Sequence, residues 1–175
     1  MAQLKPPVGP HDHIQGTHNP RVTLVEYGDY QCPYCGNAFP IVKALQDKFP
    51  KTLQFVFRNF PLTQSHQYAL GAAEMAEAAG NQNKFWEMHD WLYKHQRTLQ
   101  PENLSHGAKD LKLDIDQIKA ALEDGQIQKR IEYDLNSGME SGVDGTPAFF
   151  INGEKFDGNW TDFNAFSAAV EAAGG

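Results

Sequence analysis

The chain carries two cysteines, Cys32 and Cys35, separated by Pro33 and Tyr34 and placed between an apolar, β-branched run and a helical pattern. That spacing constrains the chain more than any other feature. A thiol at the start of a helix lies beside unsatisfied backbone N–H groups and the positive end of the helix dipole, which favour thiolate over thiol. Cys32 is therefore expected to face solvent as the nucleophile. Cys35, one helical turn later, is expected to point inward, to be less acidic and to attack a mixed disulfide formed at Cys32. Pro33 suits the first helical position, where its missing N–H costs nothing. Tyr34 fills the space between the sulfurs and can tune their redox potential. The competing reading is a metal site, which for zinc needs four ligands and would recruit His11, His13 or His18. A pair of cysteines also excludes a disulfide-rich secreted scaffold.

The flanks support redox chemistry over metal binding. Arg21 to Tyr27 read as a buried strand, flanked by Asn19-Pro20 and Gly28. After the cysteines, Phe39, Ile41, Val42, Leu45 and Phe49 recur at helical intervals up to Pro50, with Pro40 inside the run. A second strand is expected over Thr52 to Phe57, with Leu53, Phe55 and Phe57 on one face and Val56 on the other. Strand, motif, helix and strand make a βαβ unit, and a CxxC in that context reads as redox-active. From Pro61 to Gly142 the pattern is helical throughout, in about five helices. Ala69, Ala72, Ala73 and Ala76 form one stripe, Asp114 and Gln117 a capping box, and Gln126 to Ser141 a longer helix. His89 shares the face of Phe85 and Leu92 and reads as a core residue. Trp86, Trp91 and Trp160 read as core or groove lining. Strand character returns at Ala148–Ile151, followed by the hairpin signal Asn152-Gly153 and a last helix capped by Thr161.

The whole chain narrows the function classes. Twenty-two acidic against 15 basic residues give a net charge of -7, which disfavours the phosphate contacts of a nucleic-acid binder. No window has the length and apolarity of a membrane span. The segment from Met1 to Pro20 has no apolar core of the kind a signal peptide needs, so the cytoplasm is expected, or the periplasm or exterior if a signal was removed.

Three separated motifs resemble the DsbA-like family of thiol-disulfide oxidoreductases. They are Val25-Glu26-Tyr27-Gly28-Asp29-Tyr30-Gln31-Cys32-Pro33-Tyr34-Cys35, Phe57-Arg58-Asn59-Phe60-Pro61-Leu62 and Gly145-Thr146-Pro147-Ala148-Phe149-Phe150-Ile151-Asn152-Gly153. The resemblance runs from about Asp12 to the C-terminus. It implies an α/β chain, a thioredoxin fold with an inserted helical domain. The expected segments are an N-terminal tail over 1–20, fold halves over 21–62 and 143–175, and the insertion over 63–142. It makes Cys32 and Cys35 the catalytic pair, with Glu26 a buried acid beneath Cys35 and Pro147 a cis proline opposite the motif. Pro33, Tyr34 and Thr146 would contact substrate, the last through its backbone. His66 matches a family pattern and is read as a helix-start or packing residue. The implied partners are protein or peptide thiols and disulfides, and a recycling partner such as glutathione, a reductase or a quinone-linked oxidase. Neither metal nor organic cofactor is implied. Pro33-Tyr34 departs from the Pro-His of strongly oxidising members and resembles glutaredoxins, which implies a milder oxidant and leaves oxidase, isomerase and reductase open. A glutathione-linked transferase or isomerase shares the fold but usually has serine in place of Cys32.

Overall fold

The computed structural model of the chain describes residues 2–175. In chain order the elements are β1 (His13–Gly16), β2 (Val22–Gly28), α1 (Pro33–Lys48), β3 (Leu53–Asn59), α2 (Ala69–Gly80), α3 (Phe85–Lys94), α4 (Pro101–Asp110), α5 (Ile115–Glu123), α6 (Gln126–Glu140), β4 (Ala148–Ile151), β5 (Glu154–Lys155) and α7 (Phe163–Ala172). The five strands form one sheet in the order β1-β3-β2-β4-β5. This is the thioredoxin-type α/β fold with an inserted set of helices.

The chain divides into two compact units. One comprises the chain up to Gly28, Pro33–Arg58 and Asn136–Gly175, and the other comprises Asp29–Cys32 and Asn59–Leu135. These seams differ from the linear segments expected from sequence. The turn Asp29–Cys32 goes with the helices, and α6 is shared between the units.

In the sheet unit, β2 and β3 are neighbours joined through α1, and β2 pairs antiparallel with β4, placing Tyr27 opposite Ala148 and Glu26 opposite Phe149. Both central strands are covered on both faces. Val56, expected on the opposite face from Leu53 and Phe55, is as buried as they are, and β3 runs on to Asn59. A strand covered on both sides is apolar throughout rather than alternating. Asn152 and Gly153 both have positive φ, 50° and 86°, as the tight hairpin into β5 requires.

Residues 2–20 are not a loose tail. His13–Gly16 pairs antiparallel with β3 at the sheet edge, with His13 opposite Phe57, and Gln3 bridges to Glu154. The anchor is Arg58, whose guanidinium takes both Asp12 carboxylate oxygens at 2.8 and 2.9 Å, the Tyr27 hydroxyl at 2.9 Å and the Pro6 carbonyl at 3.0 Å. Burial alone would lower the Arg58 pKa; the bonds to Asp12 and Tyr27 outweigh it and raise the value, holding the charge in place. His-Ile-Gln-Gly carries almost no strand signal, and only a tertiary partner makes it one. At the other end, Asp162 rather than Thr161 caps α7, accepting from the N–H groups of Asn164 and Ala165. The Thr161 hydroxyl is taken by Asn159 Oδ1 at 2.6 Å.

The helical unit packs α2 against α3, α4 and α5. Its alanine stripe is fully buried, which lets helices approach closely, and Asp114 caps α5 by accepting the Gln117 N–H. His89 is buried, and its Nδ1 meets the Tyr30 hydroxyl at 2.9 Å within a cluster formed with Phe85, Trp86 and Tyr93.

A polar knot lies at the end of β3. Asn59 donates from its backbone N–H and its amide to Asp134 Oδ2, and from the same amide to Glu77 Oε2 at 2.9 Å. Desolvation pushes the Asp134 carboxyl up to about 6, with Glu77 adding to the rise and Arg130 and the Asn59 donors opposing it. A carboxyl with a raised folded-state pKa contributes stability that is complete below its unfolded value, 3.8, and lost as pH rises through about 6. Asp134→Asn removes that loss. Denaturant unfolding at pH 4 and pH 7 should show the variant gaining on the parent by on the order of 2–3 kcal/mol at the higher pH. An unchanged difference between the two pH values would contradict this placement of the proton.

Candidate active site

Each end of Cys32 is held by a side chain. Its N–H donates to the Asp29 carbonyl at 3.1 Å and to Asp29 Oδ1 at 3.2 Å, and its carbonyl accepts from Gln96 Nε2 at 2.7 Å. Gln96 Nε2 also donates to the Tyr30 carbonyl at 2.9 Å, and the Gln31 N–H donates to Asp29 Oδ1 at 2.7 Å. The other Asp29 oxygen accepts from the Leu62 N–H at 2.9 Å and pairs with His66 Nδ1 at 2.8 Å. Gln31 Oε1 in turn accepts the Tyr68 N–H at 2.7 Å. These bonds fasten the turn Asp29–Cys32 to the residues that follow β3 and α3.

Helix α1 starts immediately after Cys32, with Pro33 at its first position and no acidic residue in its first turn. Cys35 lies in that turn and has no exposed surface, while Tyr34 is 64 % exposed. Cys32 itself is only 3 % exposed, against the expectation that it faces solvent. The folded-back turn draws it inward and leaves Pro33 and Tyr34 as the exposed part of the motif.

The sheet unit holds Cys35, Glu26, Thr146 and Pro147. Glu26 is 2 % exposed in the middle of β2, so it is not an edge-strand residue pointing to solvent. Gly28 makes room for it. A Cβ there would stand 2.8 Å from Glu26 Oε2 and 2.5 Å from the Phe57 ring. The Thr146–Pro147 bond is cis and directly precedes β4, at the end of the sheet where β2 finishes. His11, His13 and His18 belong to the anchored N-terminal segment. Among the described residues no group of three or more His, Cys, Asp or Glu side chains is arranged to hold a metal ion.

Asp29 and Gln96 were missed in sequence. The signal for Asp29 was present, since an aspartate two and three residues ahead of N–H groups favours a side-chain-capped turn. Gln96 lies 64 residues away from the carbonyl it serves and gives no local signal.

A sheet with an inserted helical set and a CxxC opening the first long helix defines the thioredoxin class. A family model described as thioredoxin matches residues 9–172, and the chain belongs to that family. Among curated proteins it is 46% identical over 174 residues to a protein named Na(+)/H(+) antiporter NhaA 1 from Salinispora arenicola, covering 99% of this chain and 26% of that one. The chain thus spans about a quarter of the length of the curated relatives it matches. Among solved structures it resembles oxidised BdbD from Bacillus subtilis, at a TM-score of 0.85 and 24% identity, covering 98% of this chain and 97% of that one. It also resembles a thioredoxin-like oxidoreductase from Silicibacter pomeroyi, at a TM-score of 0.81 and 26% identity, covering 94% and 93%. The fold is that of the DsbA-like proteins. None of these relatives supports the cytoplasmic placement expected from the first twenty residues. No helix among the described residues is long and apolar enough to cross a membrane.

The close fit at Gly28 is testable. Gly28→Ala should cost roughly 1–3 kcal/mol of unfolding free energy, because the new methyl displaces the Phe57 ring or the Glu26 carboxyl from a packed interior. Denaturant titration would show it, and an unchanged midpoint would mean that the carboxyl is not packed against this glycine.

Proposed function

We propose that the chain is a protein thiol-disulfide oxidoreductase working through Cys32 and Cys35. The observation that carries this reading is the placement of the two cysteines, one immediately ahead of α1 and the other within a first turn that contains no acidic residue. There the positive end of the helix dipole favours a thiolate.

The chemistry is two successive exchanges. The Cys32 thiolate attacks one sulfur of a substrate disulfide, an S–S bond forms to Cys32, and the substrate's other sulfur leaves as a thiolate. Cys35, losing its proton, then attacks Cys32 Sγ and expels the second substrate thiol. The substrate gains two electrons, and the two cysteines become a disulfide. Run backwards, the same steps transfer the disulfide to a substrate dithiol. Glu26 is read as the acceptor of the Cys35 proton, because it is a buried carboxyl in the same unit as Cys35. Thr146 offers backbone to an extended substrate chain, Pro147 shapes the loop beside it, and exposed Pro33 and Tyr34 meet the substrate first.

Protein or peptide thiols and disulfides are the substrates of this reading, with glutathione, a reductase or a quinone-linked oxidase restoring the starting state. Tyr34 between the cysteines supports a milder oxidant than a histidine there would give. Lasting disulfide transfer requires an oxidising compartment, so the working location is placed outside the cytoplasm.

Unequal roles for the two cysteines make the test. With a disulfide-bonded peptide, Cys35→Ser should accumulate a covalent adduct at Cys32 that disappears on adding reductant, whereas Cys32→Ser should form none. Non-reducing mass spectrometry reads both. Equal trapping by the two variants, or none by either, would remove the oxidoreductase reading.

A further inference from the structure

The loop that leaves α3 is built on fixed contacts. The His95 ring stacks on the Trp91 indole with centroids 3.9 Å apart and donates from Nδ1 to the Trp91 carbonyl at 2.8 Å. The His95 carbonyl in turn accepts the Thr98 N–H at 2.9 Å and the Thr98 hydroxyl at 3.3 Å. Within this turn lies Gln96, whose amide donates to the carbonyls of Tyr30 and Cys32. Lys94 and Arg97 stand on either side of it in the chain, and both are exposed. Neither forms an ion pair or a side-chain hydrogen bond among the described residues, although the chain has 22 acidic side chains against 15 basic ones. With Tyr93, His95, Gln96 and Thr98 they line an open hollow of about 260 Å³, and none of these lining residues is acidic.

We propose that this hollow is an anion subsite that seats the carboxylate of a small, peptide-like disulfide whose sulfurs then meet Cys32. This deepens the oxidoreductase reading and rests on it. Gln96 ties the two places together, since it lines the hollow and holds the Cys32 carbonyl at 2.7 Å. Pockets that enclose a whole small ligand run from about 300 to 1,000 Å³. This one is smaller and open, so it fits one charged end of a ligand and leaves the rest outside. Charge favours a small ligand over an acidic protein. A net charge of -7 repels a large anion over its whole surface, whereas a small one feels chiefly the cations within a Debye length, about 8 Å at physiological ionic strength. The bound disulfide loses one half as a thiolate when the Cys32 thiolate attacks it, and the other half when Cys35, giving up its proton, attacks Cys32 Sγ. Two electrons pass to the ligand, which ends as two small thiols, and the two cysteines end as a disulfide. Lys94, in the last turn of α3, also faces the negative end of the helix dipole. That role concerns helix stability alone and selects no disulfide by its charge.

Two disulfides of different charge make the test. Exchange of the reduced protein with anionic oxidised glutathione and with neutral 2-hydroxyethyl disulfide is followed by mass in the parent and in the double variant Lys94→Gln, Arg97→Gln. A control, Lys119→Gln with Lys129→Gln, removes the same charge from exposed positions on α5 and α6. The Lys94, Arg97 variant should lose roughly three- to tenfold in rate with oxidised glutathione, as two exposed ion pairs would give, and keep the parent's rate with 2-hydroxyethyl disulfide. The control should match the parent with both reagents. S-Methylglutathione, charged but without a disulfide, should slow the parent's exchange with oxidised glutathione saturably and lose that effect in the Lys94, Arg97 variant. An unchanged rate with oxidised glutathione, an equal loss with both disulfides, or an equal loss in the control overturns the subsite. Should the double variant fail to fold, Arg97→Gln decides alone, because it lies beyond the end of α3. A loss of about two- to threefold confined to oxidised glutathione supports the subsite, and no such loss refutes it. A parent that exchanges with neither disulfide defeats the oxidoreductase reading instead, whatever the variants do.

Discussion

The buried Asp29 carboxylate is the interaction on which the site depends. A carboxyl group can be taken out of water only if its oxygens find hydrogen-bond partners. Those partners come from its own turn and from the segment after β3. Satisfying them fixes the backbone of Asp29–Cys32 and carries that turn into the helical unit, while α1 and Cys35 remain with the sheet. The inserted helices therefore do more than enlarge the fold. Gln96 and His66 of the helical unit supply side chains that hold the turn bearing Cys32.

A second buried charge organises the sheet. Arg58 near the end of β3 is held charged by Asp12 and Tyr27, and the same guanidinium gathers the carbonyls of Pro6 and Pro7. Tyr27 also meets the Ser137 hydroxyl at 2.8 Å. Removing one partner of such a set strands the other in a dry interior, so the chain around Asp12 is bound into the core by more than its short strand pairing.

What could be read from the sequence followed from local rules. The strands β2 and β3, the helix that starts at Pro33, the alanine face of α2, the Asp114 cap and the Asn152-Gly153 hairpin each depend on residues next to one another in the chain. What could not be read depends on partners far along it. His13–Gly16 becomes a strand only beside β3, Val56 is buried only because both faces of the sheet are covered, and Thr161 loses the cap of α7 to Asp162 because Asn159 occupies its hydroxyl. At the site, the cysteine spacing was legible. The low exposure of Cys32 and the hold of Gln96 on its carbonyl were not, since the first follows from how its turn folds back and the second from a residue 64 positions away.

The curated relatives are about four times the length of this chain, so its fold recurs within larger proteins whose names describe ion transport. Within this chain the chemistry rests on the redox pair: Cys32 and Cys35 should form one reversible two-electron couple. Equilibrating the protein with graded ratios of reduced and oxidised glutathione, and counting free thiols by mass after acid quenching, tests that directly. A single transition is predicted in which both thiols are lost together, with a potential between about −120 and −230 mV, the span from strong oxidants to glutaredoxins. A chain that never forms the Cys32–Cys35 disulfide, or in which the two thiols are lost independently, would contradict it.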